Sequence, residues 1–228
     1  MTTHRRSLPG IQLIVFDLDG TLVDTKMDLA LSVNAMREHM RLGPLPVEAV
    51  TSYVGHGATV LVKRSLGDNA PEGEVEKGLA LFLDYYAQHL LDHTVAYPGV
   101  REALEGLRNR KLAILTNKPT RFSREIIEGL GLAPYFLEIY GGDSFPLKKP
   151  DPMGIKAVMS DLSIPAEKTL IVGDSDTDVF TGRNAGVWTC GVTYGFGPQG
   201  LEEAGPDLLL QDLRDLPPIL DGRAGEKQ

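Results

Sequence analysis

Two aspartates one residue apart are the first residues in the chain whose type and spacing could support chemistry. Asp17 and Asp19 directly follow the apolar run Leu13 to Phe16, and Gly20 comes next. A run of this length is typical of a buried β-strand, and charged groups belong where such a strand leaves the core. If the extended backbone continues, both carboxylates face one side and can approach a common ligand. Two solvated aspartates that turn the chain are the alternative.

A second acidic cluster, GDSDTD at positions 173–178, follows another apolar run. It does not match a calcium-binding loop, because a loop that started at Asp174 would need glycine where Val179 stands and glutamate where Ala185 stands. Capping of the next helix by Ser175 or the residue after it explains part of the cluster. Capping does not explain all three aspartates.

The two clusters together predict a metal site. Like charges a few ångströms apart raise one another's pKa, so carboxylates that share one place need a cation between them. Ligands that are all oxygen select a hard ion, and Mg²⁺ is the usual one where a phosphate shares the site. We therefore expect a magnesium phosphate site with four aspartates as metal ligands: Asp17, Asp19, Asp174 and Asp178.

Lys149 is the basic residue expected to balance these carboxylates. It lies in the loop LKKPDP, where Pro150 and Pro152 restrict the backbone. A lysine held toward the strand ends can bind phosphate as a point charge. Lys148, its neighbour, is expected to be solvated.

Alternating strands and helices from residue 97 onward are expected to position these groups. Alternation of this kind indicates βαβ units, a parallel sheet and a doubly wound, Rossmann-like α/β fold. Ligands bind outside the carboxyl ends of such strands, which is where both acidic clusters and Thr116-Asn117 fall. The predicted strands, in addition to the first, are Lys111 to Leu115, Phe136 to Tyr140, Thr169 to Val172, Val187 to Val192 and a short edge strand at Asp207 to Gln211.

Residues 26–93 interrupt this pattern with helical periodicity alone. The clearest helix is predicted at Glu72 to His93, where apolar residues recur at i, i+3 and i+4. We expect an α/β core built from residues 1–24 and 95–228, with an inserted all-helical domain at 25–94. The tail from Gly222 to Gln228 is expected to be disordered.

Composition limits the possible partners. The 228 residues carry a net charge of −8, which disfavours nucleic-acid binding. No apolar stretch approaches the roughly 20 residues of a membrane helix, and the single cysteine, Cys190, agrees with a reducing compartment. We expect a cytoplasmic protein, monomer or homodimer, that acts on a small phosphorylated metabolite and binds neither nucleic acid nor membrane.

Four motifs in order resemble those of the haloacid dehalogenase superfamily of phosphatases. They are DLDGT at 17–21, LTN at 115–117, KPDP at 149–152 and GDSDTD at 173–178. Each alone is a weak match, but each stands after a predicted strand or in the expected loop. The resemblance covers residues 11 to 212, and the helical insert resembles the cap that this family places after its first motif.

The resemblance implies a role for each matching residue. Asp17 would be the nucleophile and Asp19 the general acid and base, while Thr116 would bind the phosphoryl oxygens. Lys149 would balance charge, and Mg²⁺ would be held by Asp174, with Asp178 close behind. The acid at position 19 disfavours dehalogenation, because the similar dehalogenases lack it.

Substrate choice is expected to lie in the cap. The segment 53–67 resembles the cap of bacterial phosphoglycolate phosphatases, which implies hydrolysis of 2-phosphoglycolate. Its carboxylate would need a cation, and the cap offers His56, Lys63 and Arg64. Other small phosphates (pyrophosphate, a sugar phosphate or a nucleotide) remain open, as does a non-catalytic binding protein. The predicted substrate-binding residues are Thr21, Asn117, Gly55, His56, Gly57 and Lys63.

Overall fold

The fold is an α/β structure built around a parallel sheet of six strands. The computed structural model describes residue 8 and residues 10–67 and 69–222. The remaining residues at both ends of the expected core, and all but the first residue of the predicted disordered tail, lie outside this part. The strands are β1 Leu13–Phe16, β2 Val23–Asp24, β3 Val95–Ala96, β4 Lys111–Leu115, β5 Glu138–Tyr140, β6 Thr169–Gly173, β7 Trp188–Val192 and β8 Leu208–Leu210.

β1 lies at the centre of the sheet, whose strand order is β5-β4-β1-β6-β7-β8. Successive side chains of a strand point to opposite faces. Accordingly Ile14 and Phe16 enter one apolar cluster, whereas Leu13 and Val15 enter the other. Because both faces are covered, every side chain of β1 is buried, as is typical of a parallel sheet.

Helices cover both faces and also form a separate segment between β2 and β3. The helices are α1 Lys26–His39, α2 Val47–Thr51, α3 Ala58–Leu66, α4 Glu72–Gln88, α5 Val100–Gly106, α6 Thr120–Gly129, α7 Met153–Leu162, α8 Asp176–Ala185, α9 Pro198–Ala204 and α10 Leu216–Leu220. Short 3₁₀ turns occur at Ala133–Tyr135, Ala166–Lys168 and Leu213–Asp215. No helix in the described ranges is long and apolar enough to cross a membrane.

We call α1 to α4 the helical segment. It packs on itself and also against the sheet-bearing part of the chain. The ring of Tyr86 on α4 stacks on Phe82 at 5.5 Å and meets Phe122 of α6 edge-on at 5.4 Å. Aromatic pairs in such geometry stabilise a contact beyond the area they bury. The two parts of the chain therefore share an apolar interface at Tyr86.

The two chain crossings into and out of the helical segment pair as a short antiparallel ribbon, with Val23 opposite Ala96. The sequence patterns did not predict this ribbon, because two residues are too few to show a period. Behind it the buried carboxylate of Asp28 accepts hydrogen bonds from the backbone N–H groups of His93 and Thr94, at 3.0 and 2.8 Å. The Thr94 hydroxyl donates a further bond, at 2.7 Å. Asp28 thus joins the two crossings.

Several predicted bounds were wrong. The helix predicted to reach His93 ends at Gln88, and the backbone N–H of His93 bonds to Asp28 instead of continuing the helix. The strand predicted from Phe136 begins at Glu138, after the 3₁₀ turn. The edge strand is confirmed at Leu208–Leu210.

Candidate active site

The carboxyl ends of the three central strands meet at one place. Phe16 of β1 lies opposite Ile114 of β4 and Val172 of β6. The residues that follow these strand ends, Asp17, Thr116 and Asp174, are all buried and all line one cavity. β1 is also where the chain changes direction across the sheet, a usual position for ligand sites in this architecture.

Three of the predicted metal ligands lie together. Asp17, Asp174 and Asp178 each offer an oxygen within 4.8 Å of the others. Burial is the main cause that raises the pKa of Asp17 to about 6; Lys149 opposes this rise and Asp178 adds to it. Burial also raises the pKa of Asp174 to about 8, with the charges of Asp178 and Asp17 adding to the rise. A carboxyl group whose pKa is raised by burial and by neighbouring negative charge can be stabilised either by a proton or by a bound metal cation.

Lys149 lies inside this acidic group, as its sequence position suggested. Its ammonium is 2.6 Å from Oδ1 of Asp178 and 2.9 Å from Oδ1 of Asp17. Burial alone would lower the pKa of Lys149, but these two carboxylates raise it above its usual value. Lys148 is exposed, also as expected.

Asp17 Oδ1 is suited to a metal ion. It lies 2.9 Å from the Lys149 ammonium as an ion pair, but among the described residues no donor is aligned to form a hydrogen bond with it. A buried polar atom in that condition is costly unless something else binds it. One oxygen from each of Asp17, Asp174 and Asp178 forms an oxygen-only set of the kind that hard divalent cations prefer.

Protein donors fix the other two carboxylates of the group. Asp178 Oδ2 accepts from the N–H and hydroxyl of Ser175, at 3.2 and 2.7 Å, which begins α8 and confirms Ser175 as a helix cap. Asp174 accepts from the Thr21 hydroxyl at 3.2 Å and the Phe196 N–H at 2.6 Å. Thr21, predicted to bind substrate, therefore contacts Asp174.

The carboxylate of Asp19 lies apart from this group. It accepts a hydrogen bond of 2.7 Å from the Thr25 hydroxyl and pairs with Lys118, whose ammonium is 3.1 Å from Oδ1. The structure thus does not bring the Asp19 side chain to the other predicted metal ligands, although it lines the same cavity. The two aspartates of the first motif have different neighbours and can do different chemistry.

Lys118 is the site residue that the sequence analysis missed. It is 6% exposed, and its ammonium also donates to the hydroxyl of Tyr86 at 2.6 Å. Burial alone would lower the pKa of Lys118, but Asp19 and then Tyr86 raise it. Its position directly after the LTN motif was the available signal, but a lysine before a proline reads equally well as a surface loop.

The side chain of Asn117 forms hydrogen bonds with backbone groups of two other segments. Its amide donates to the carbonyl oxygens of Gly55 and Lys149, at 2.8 and 3.0 Å, and its oxygen accepts from the Lys149 N–H. It therefore holds the Lys149 loop and joins it to the helical segment. Its predicted contact with substrate has no support in these bonds.

The cavity lies between the strand ends and the helical segment and has a volume of about 230 Å³. Drug-sized ligands occupy sites of roughly 300 Å³ or more, so this one suits a small molecule. Of the candidates in the helical segment, Gly55, His56 and Gly57 line the cavity. Lys63 is exposed on α3 and is not among the lining residues.

Comparison with known proteins agrees with this geometry. The family model described as haloacid dehalogenase-like hydrolase matches residues 14–192. A relative from Pseudomonas putida (strain KT2440), named phosphoglycolate phosphatase, is 40% identical over 229 residues, covering 96% of this chain and 84% of that protein. Phosphoglycolate phosphatase 1 of Pseudomonas aeruginosa PAO1 is 40% identical, covering 93% of this chain and 81% of that protein.

A solved structure shows the same fold. The crystal structure of a predicted phosphoglycolate phosphatase from Haemophilus somnus 129PT superposes with a TM-score of 0.87 at 33% identity. The match covers 92% of this chain and 97% of that one. Family match, sequence relatives and structural likeness all extend over most of the chain, so it belongs to the haloacid dehalogenase-like hydrolase family.

Proposed function

We propose that the protein is a magnesium-dependent phosphomonoester hydrolase that converts 2-phosphoglycolate to glycolate and phosphate. The observation that carries the proposal is the separation of the two aspartates of the first motif. Asp17 lies beside Lys149 in a group of three carboxylates, whereas Asp19 lies outside that group and faces the same cavity. The names of the relatives supply the substrate.

Asp17, Asp174 and Asp178 would hold the ion. When bound, Mg²⁺ would neutralise charge on the phosphoryl oxygens and on the attacking carboxylate. Lys149 adds a fixed positive charge beside Asp17. Because the site is buried, these charges act in a low dielectric, where electrostatic stabilisation is strongest.

The reaction would proceed in two displacements at phosphorus. An oxygen of Asp17 attacks, the bond from phosphorus to the ester oxygen breaks, and Asp19 donates a proton to the leaving glycolate oxygen. Asp19 then takes a proton from water, whose oxygen attacks phosphorus and releases phosphate from Asp17. Thr116, at the end of β4, is proposed to bind the phosphoryl oxygens.

We also propose that residues 25–94 form a cap domain over a core of 1–24 and 95–228. The ribbon of β2 and β3 would be the hinge, and the bond from Asn117 to Gly55 would hold the cap against the core. A cytoplasmic location and action on a free small metabolite belong to the same proposal; the net charge of −8 disfavours a nucleic-acid substrate.

A panel of phosphomonoesters tests this function. The purified protein with Mg²⁺ is expected to release phosphate from 2-phosphoglycolate faster than from pyrophosphate, sugar phosphates or nucleotides. Asp17→Asn should abolish turnover. Asp84→Asn, an exposed change of the same chemistry on α4, should leave it intact. Preference for another ester would contradict the proposed substrate but not the mechanism. Full activity of Asp17→Asn would contradict the mechanism.

A further inference from the structure

Lys118 lies where the leaving group of the proposed reaction must sit. Its ammonium is 3.1 and 3.2 Å from the two oxygens of Asp19, the proposed proton donor to the ester oxygen. On its other side it is 2.6 Å from the hydroxyl of Tyr86. It reaches this position from the loop after β4, while Tyr86 belongs to the helical segment.

Lys118 is also the cation that the cavity offers. Among the described residues that line the cavity, it is the one lysine or arginine. Lys149 is bound between Asp17 and Asp178, and Lys63 projects from the exposed side of α3. Much of the remaining lining beside Lys118 is apolar, including Phe82 and Phe122. A negative group that entered this side of the cavity would meet Lys118.

The ammonium can share its donors with a ligand. It makes three hydrogen bonds within the described part of the chain, to both oxygens of Asp19 at 3.1 and 3.2 Å and to the hydroxyl of Tyr86 at 2.6 Å. Two of the three donors therefore go to one carboxylate, which a single donor can hold. Release of one Asp19 oxygen would leave a donor of a buried charge for an anionic oxygen in the adjoining cavity, a favourable charge-assisted bond.

We propose that Lys118 binds the carboxylate of the substrate and thereby selects phosphate esters of short 2-hydroxy acids over esters of neutral alcohols. In such an ester the carboxylate is attached to the same carbon as the ester oxygen. A cation in contact with Asp19 is therefore within reach of that carboxylate when Asp19 reaches the ester oxygen. The inference rests on the proposed phosphatase function and moves the carboxylate contact from the cap candidates His56, Lys63 and Arg64 to a core loop.

The test is a preference ratio, the kcat/KM for 2-phosphoglycolate divided by that for 2-hydroxyethyl phosphate. The second ester replaces the carboxylate by a neutral CH₂OH group. Lys118→Met is expected to lower the ratio by about 10- to 100-fold, the value of one hydrogen bond to a charged group. Lys63→Met, the matched exposed lysine, should leave the ratio unchanged. Both kcat/KM values come from one sample. Partial misfolding, or a general loss of Asp19 function, therefore lowers both values and cancels in the ratio.

Binding measurements extend the test to a variant without turnover. Calorimetry would compare Asp17→Asn with Asp17→Asn/Lys118→Met, using the same two esters and Mg²⁺. Selective weakening of 2-phosphoglycolate supports the inference; equal weakening of both esters, or an unchanged ratio in Lys118→Met, overturns it while the phosphatase function stands. A wild-type enzyme that hydrolyses other esters without any preference for the carboxylated one overturns both the substrate and the inference.

Discussion

The ammonium of Lys149 and the carboxylate of Asp178, 2.6 Å apart and almost completely buried, form the ion pair on which the acidic site depends. Asp178 in turn accepts two bonds from Ser175 at the start of α8. The lysine is therefore held by a carboxylate that a helix terminus fixes in place. Because Lys149 also pairs with Asp17, substitution of the lysine should affect both carboxylates.

Lys149→Met should destabilise the fold as well as abolish activity. The substitution leaves Asp17, Asp174 and Asp178 buried without their positive partner, and breaking a buried pair in this way costs about 3–5 kcal/mol. Urea unfolding in EDTA measures the effect. Lys148→Met, one residue earlier and exposed, is the control and should change the free energy of unfolding by less than about 0.5 kcal/mol. Equal effects of the two substitutions would contradict the assigned role of Lys149.

Mg²⁺ should stabilise the protein more at high pH than at low pH. A carboxylate whose folded pKa is raised contributes stability that is complete below its unfolded pKa and is lost as pH rises through the folded pKa. For Asp17 and Asp174 the folded values are about 6 and about 8, against an ordinary 3.8. The metal-free protein should thus lose stability as pH rises through this range.

Bound Mg²⁺ would reverse that loss, because it replaces the protons. Melting curves with Mg²⁺ and with EDTA, recorded between about pH 5 and pH 8, should show a difference in Tm that grows with pH. Asp174→Asn should remove most of this difference. A metal-induced shift that is equal at both ends of the range would show that these carboxylates do not bind the ion.

Gly20→Ala should impair metal binding through Asp174. Gly20 has φ +81, which is strained for other residues, and a Cβ there would collide with the carboxylate of Asp174. Displacing that carboxylate should weaken Mg²⁺ binding at least about tenfold, as loss of support around a metal ligand does. Calorimetric titration with Mg²⁺ measures the change.

Gly73→Ala is the control for this substitution. Gly73 lies in the first turn of α4, and a Cβ there would meet nothing within 4 Å. It should bind Mg²⁺ normally and be slightly more stable, because alanine favours the helix. Normal metal affinity in Gly20→Ala would show that Asp174 can move without cost.

Asp28→Asn should loosen the junction between the helical segment and the rest of the chain. Burial would raise the pKa of Asp28, but the hydrogen bonds from Thr94 and His93 lower it below its ordinary value. An amide cannot accept on both sides, so we expect a loss of about 2–3 kcal/mol of stability at neutral pH.

Because the pKa of Asp28 is lowered, its contribution is present above the unfolded pKa and is lost as pH falls through the folded value. The wild type and Asp28→Asn should therefore converge in stability in acid. Urea unfolding at neutral and acidic pH measures the stability of the wild type and of Asp28→Asn, with the exposed Asp84→Asn as control. If the stability difference between wild type and Asp28→Asn is the same at all pH values, it does not come from the charge of Asp28.

Much of the framework followed from short-range pattern. The apolar run before Asp17 predicts β1, and its alternate side chains do enter two separate apolar clusters. The prolines around Lys149 and the polar residues after each strand correctly predict a cluster at one sheet edge, because parallel strands end on the same side. The bound predicted at His93 was wrong: the helix ends at Gln88, and a distant carboxylate, Asp28, binds the backbone of His93 in the non-helical chain that follows.

The sequence by itself determined the fold class, the strand that leads into Asp17, and three of the four aspartates expected in the acidic group together with its lysine, because these depend on local periodicity and on the order of motifs. Only the tertiary structure decided the partners of each charge. Asp19 pairs with a lysine 99 positions away, and that lysine also contacts Tyr86 of the helical segment. Such contacts depend on which strands are neighbours and on how the helical segment packs against them, and neither leaves a period in the sequence.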